Sequence, residues 1–83
     1  MLQARVVITL KQGILDPQGD TVRSALTSLG FDGLADCRVG KVILLRLTES
    51  DRAKAAAQVE EMCRRLLANP VIEDFRFDLE ERP

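Results

Sequence analysis

The sequence predicts a small α+β domain: a mainly antiparallel sheet with two helices on one face. Three observations predict it. Residues 2–10 alternate apolar and polar side chains, the period of a half-buried strand. Asp16-Pro17 opens a stretch with apolar residues at helical spacing. Residues 42–45 are four consecutive aliphatic side chains, and a second alternating stretch closes the chain. The element order is β-α-β-α-β with a long second strand bent near Gly40. The alternative is β-α-β-β-α-β, if Val39-Gly40-Lys41-Val42 makes a hairpin turn. The 83 residues suffice for one domain, with residues 80–83 a loose tail.

In the first strand, Leu2, Ala4, Val6, Ile8 and Leu10 share one side and Gln3, Arg5, Val7 and Thr9 the other. Lys11 to Leu15 form a loop around Gly13. The Asp16 side chain can accept from free N–H groups of the next helix, and Pro17 has no N–H to lose at the first helical position. Val22, Ala25, Leu26 and Leu29 then mark the inward stripe of a helix over residues 17–29, with Gly30 at its C-terminal cap.

Residues 35–48 read as the second strand. Alternation puts Ile43, Leu45 and Leu47 on one face and Val42 and Leu44 on the other. A strand apolar on both faces must be covered on both. The helices cover one, so Val42 and Leu44 are candidates for self-association. Ser50 can cap a second helix over residues 51–68, with Ala56, Val59, Cys63 and Leu66 inward, widened by Met62 and Leu67. Pro70 ends it. Residues 71–79 form the last strand, with Phe75, Phe77 and Leu79 on one face.

Composition narrows the function. A net charge of −1 and only three aromatic residues argue against nucleic-acid binding. No stretch approaches the roughly 20 apolar residues of a membrane span. Two cysteines, Cys37 and Cys63, make no disulfide framework, and the expected compartment is the reducing cytoplasm. Histidine is absent, which removes the usual general base and the commonest metal ligand. Gly40-Lys41 resembles the end of a phosphate-binding loop, but Ala35 and Val42 stand where that loop needs Gly and Ser or Thr. The cysteines lack zinc spacing. Glu73 and Asp74 fall on opposite faces of a strand, and Asp74 and Asp78 read as solvated. No catalytic, cofactor-binding or metal-ligating set is expected in this chain.

Three segments resemble the PurS family. They are Leu10-Lys11-Gln12-Gly13-Ile14-Leu15-Asp16-Pro17-Gln18-Gly19, Arg38-Val39-Gly40-Lys41, and Leu66-Leu67-Ala68-Asn69-Pro70-Val71-Ile72-Glu73-Asp74-Phe75. The resemblance implies a non-catalytic subunit of phosphoribosylformylglycinamidine synthase in de novo purine synthesis. It implies two partners: PurQ-like, a glutaminase that releases ammonia, and PurL-like, a synthetase that uses ATP and magnesium. The small subunit is implied to bridge them and to help keep ammonia from escaping. The chain is expected to be a homodimer or higher. Connections often carry function while helices and strands hold them in place. The docking candidates are therefore the loop residues Lys11, Gln12, Gly13, Ile14 and Leu15 and the corner Asn69-Pro70. Lys11 and Gln12 serve no expected cap or turn. Rival readings are an ACT-like ligand-sensing domain and, behind it, a small hydrolase like acylphosphatase, for which the loop after the first strand offers no phosphate cradle.

Overall fold

A computed structural model describes residues 1–83. Strand β1 (Leu2–Leu10) lies between β2 (Lys41–Leu47) and β3 (Glu73–Glu81), giving the order β2-β1-β3. Both pairings are antiparallel, and the open three-stranded order leaves each outer strand with a free edge. Helix α1 (Pro17–Ser28) joins β1 to β2. Helix α2 (Arg52–Met62) and a π-helical turn (Cys63–Leu67) join β2 to β3. The first of the two expected orders holds, and no hairpin forms at Gly40.

Register builds the core. Ala4 faces Leu45 and Leu79, and Val6 faces Ile43 and Phe77. Leu2, Ala4, Val6 and Ile8 are all buried, and Ala55, Val59 and Cys63 of the second helical segment close over them. Each large buried side chain contributes about 1.5–3 kcal/mol. The flanks are less well covered: Ile43, Leu45, Phe75, Phe77 and Leu79 remain half-buried.

Several boundaries and roles differ from expectation, each for a local reason. The second strand begins at Lys41, not residue 35. Upstream N–H groups go to carboxylates instead of a ladder: Cys37 N–H donates to Asp36 and Val39 N–H to Asp16. The second helix is capped by Asp51, not Ser50; its Oδ1 accepts from the N–H groups of Ala53 and Lys54. The inward residues are Ala55, Val59, Cys63 and Ala68. A π turn holds more residues than an α turn, so the positions after Cys63 that turn inward are Leu67 and Ala68, and Leu66 is exposed. The last strand starts at Glu73, because the N–H groups of Ile72 and Glu73 both turn back to the Asn69 carbonyl. The C-terminal residues are tied down: Glu80 and Glu81 pair with β1, and Arg82 N–H donates to the Met1 carbonyl.

The largest difference concerns α1. Its caps are as expected, with Gly19 N–H donating to Asp16 Oδ1 and Gly30 at positive φ after the last turn. Its apolar stripe, however, does not lie on the sheet. Gly19 is the only buried residue of the helix, and Val22 and Leu29 are exposed. One face of the sheet therefore carries one helix of this chain, not two.

Candidate functional site

The three segments that resemble PurS meet at one end of the sheet. At Thr9 and Leu10, β1 pairs with β3 but has run past the start of β2. The free carbonyls there need donors. Arg38 supplies them: its Nη2 donates to the Leu10 carbonyl at 3.1 Å and to the Lys11 carbonyl at 2.9 Å. Its Nε stands 4.0 Å from Asp16 Oδ2. That buried carboxylate also accepts from Val39 N–H at 2.8 Å, while its other oxygen caps α1. The N–H of Gly19 first and that of Val39 second hold the Asp16 carboxyl below the usual carboxylate range, and Arg38 adds to them.

Two glycines allow this close approach. A Cβ on Gly19 would collide with the Cys37 carbonyl, and one on Gly40 with the Ile8 carbonyl. Small residues at both places bring the segment Cys37–Gly40 against the start of α1 and the end of β1.

The third segment joins through Lys11. Its N–H donates to the Ile72 carbonyl at 2.8 Å, and its Nζ lies 3.0 Å from Asp74 Oδ1. Asn69 organises the corner before β3. Its side-chain oxygen accepts from Val71 N–H, and its own N–H donates to the Glu73 carboxylate. A cleft of about 300 Å³ opens at this end of the sheet, with Asp16, Gln18, Lys41 and Glu73 in its wall.

The structure thus brings the two groups of docking candidates together and sorts them. Gln12 and Gly13 are exposed in a turn closed by Ile14 N–H on the Lys11 carbonyl. Ile14 is half-buried, whereas Leu15 is 82% exposed. Pro70 is exposed, and beside it Val71 is 77% exposed. Lys11 is not the free probe expected, since its backbone and side chain both hold β3. Sequence reasoning missed the part played by Arg38. Its place in the second segment was the available signal, but which carbonyls it would reach depends on where β2 begins. Val71 stands in the turn before β3, not on the strand that its sequence context suggests. Val42 and Leu44 take no part in this cluster; they lie on the outer face of edge strand β2, 52% and 59% exposed. Cys63 is buried beneath α2, and burial pushes its thiol up, as befits a packing residue.

Comparison with known proteins gives a consistent result. Residues 3–81 match the family model described as PurS: phosphoribosylformylglycinamidine (FGAM) synthase. The phosphoribosylformylglycinamidine synthase subunit PurS of Bacillus subtilis is 44% identical over 81 residues, covering 98% of this chain and 95% of that protein. The crystal structure of Methanocaldococcus jannaschii PurS superposes with a TM-score of 0.88 at 41% identity and covers 100% of both chains. A chain from the structure of PurLQS of Thermotoga maritima superposes with a TM-score of 0.84 at 26% identity, covering 96% of this chain and 99% of that one. With the whole fold and all three segments accounted for, the chain belongs to the PurS family, the small subunit of phosphoribosylformylglycinamidine synthase in purine biosynthesis.

Proposed function

We propose that this chain bridges a PurQ-like glutaminase and a PurL-like, ATP-dependent synthetase, and that the bridge helps keep ammonia in transit between them. The chain works as a homodimer or higher assembly in the cytoplasm. It supplies no catalytic group, and ATP and magnesium are used by the large partner.

One observation carries this reading. The sheet end built by Asp16, Arg38 and Asn69 holds two aliphatic side chains, Leu15 and Val71, out in solvent on hydrogen-bonded loops. Rigid, exposed apolar side chains on loops suit docking better than catalysis. The similar T. maritima chain was solved as PurLQS, in keeping with a subunit that works inside a larger assembly.

The test uses the complex reconstituted from all three subunits. Gln12→Ala with Leu15→Asp changes two exposed side chains and leaves the Lys11–Asp74 pair intact. The variant should fold normally and lose at least about tenfold in glutamine-dependent turnover, the equivalent of about 1.4 kcal/mol of docking energy. Turnover driven by added ammonia should fall less, because that reaction does not need the glutaminase. A folded variant with full glutamine-dependent turnover and normal complex formation would remove this loop from the docking surface.

A further inference from the structure

The register of the sheet sets two opposite charges on either side of the end of β1. Lys41 of β2 stands opposite Ile8, and Glu73 of β3 stands opposite Leu10. Directly paired residues of antiparallel strands share a face, and Ile8 and Leu10 are on the same side of β1. Lys41 and Glu73 therefore rise from one face, two strands apart and offset by two residues along the sheet. Strand spacing and rise put their Cα atoms about 12 Å apart. Neither side chain takes part in an ion pair, with the other or with any further group.

Both line the cleft of about 300 Å³ at the sheet end, whose apolar part is made by Ile8, Leu10 and Val39. That volume is at the lower end of small-molecule sites. The remaining charge in the cleft is already paired: Asp16 accepts from Gly19 and Val39 and faces Arg38. The start of α1 is thus satisfied by its own cap and offers no free anion site. Glu73 gives Oε1 to the Asn69 N–H, which leaves Oε2 free. The cleft accordingly presents one free ammonium and one free carboxylate oxygen, held apart over an apolar floor. A simple anion would answer only Lys41, and a simple cation only Glu73. A small dipolar molecule between them answers both.

We propose that this cleft binds the dipolar head group of a free α-amino acid. The ligand's carboxylate accepts from Lys41 Nζ, its ammonium donates to Glu73 Oε2, and its side chain lies over Ile8 and Val39. Both contacts are charge-assisted hydrogen bonds, the stronger kind, but Lys41 stays open to solvent, so the site is weak. This goes beyond the bridging role and does not depend on it.

The test titrates the isotope-labelled full chain with glycine, L-valine, L-glutamine and L-glutamate and follows its amide resonances. At least one of the four should shift the amides of Leu10, Gln18 and Gly40 saturably, with a dissociation constant of about 1–10 mM. The N-acetyl derivative of that amino acid lacks the ammonium, and its α-amide lacks the carboxylate. Each should bind at least about tenfold more weakly. Lys41→Met and Glu73→Gln remove one charge apiece, and the second keeps an acceptor oxygen for the Asn69 N–H. Each variant should bind the free amino acid at least about tenfold more weakly, at an unchanged melting temperature. If Glu73→Gln unfolds, Lys41→Met and the two derivatives decide the matter. No saturable shift at these amides with any of the four amino acids overturns the proposal. Equal binding of the N-acetyl derivative also overturns it, because the cleft is then only an anion site at Lys41. Wild-type affinity in a folded variant overturns it too, because the ligand then sits elsewhere.

Discussion

Asp16 does two jobs with one carboxylate. One oxygen caps α1; the other accepts from Val39 N–H and faces Arg38. Because the folded state favours the ionised form, the group stabilises the fold above the ordinary carboxylate value near pH 4. That contribution is lost as pH falls through the lowered folded value. Asp16→Asn keeps a capping oxygen but presents an amide where Val39 needs an acceptor. Its Tm should lie below wild type by about 5 °C or more at pH 7, and the gap should narrow progressively as pH falls below about 4. Thermal melts over that range check this. A gap that stays constant from pH 7 down to the acid limit of folding would mean that the carboxylate's charge is not what matters.

At the scale of elements, β1 and α2 form the core and α1 does not. Ile8, buried on the central strand, should cost about 2–5 kcal/mol on truncation to alanine, by equilibrium urea unfolding. That is a large share of the stability a domain this small can have. Strand β2 should behave asymmetrically. Leu44→Asp should weaken association more than Arg46→Asp, since only the first puts a charge on the apolar part of the outer face, beside Val42. Sedimentation at several concentrations compares them; equal effects would argue against a contact through Val42 and Leu44. The periodicity of β1 and of residues 42–47 was legible because strand alternation is local. The helix stripes were legible as stripes, but where they point was not. A π turn redirected the end of the second helix, and nothing in the spacing of Leu66 and Leu67 announces it.

For the whole molecule, only 11 of the 83 residues are buried, and the accessible surface of 6093 Å² exceeds the roughly 4,900 Å² of a compact monomer of this mass. The isolated chain should show no glutaminase, ATPase or synthetase turnover. Activity that copurifies with it and disappears on one substitution within it would refute this. The sequence by itself determined the strand and helix segments up to the choice at Gly40, the start of α1 at Asp16-Pro17 and the alternation of faces along each strand, because capping and alternation act over a few residues. It also determined the family, through three segments spread along the chain. Only the tertiary structure decided that those segments converge on one end of the sheet, that Arg38 ties them and that Lys11 is held by β3. It alone decided that α1 stands clear of its own sheet. Those outcomes depend on contacts between residues 27 to 63 positions apart, and on whether the chain reverses at Gly40 or runs straight. An amphipathic stripe states that a helix must be covered; it does not state by which copy of the chain.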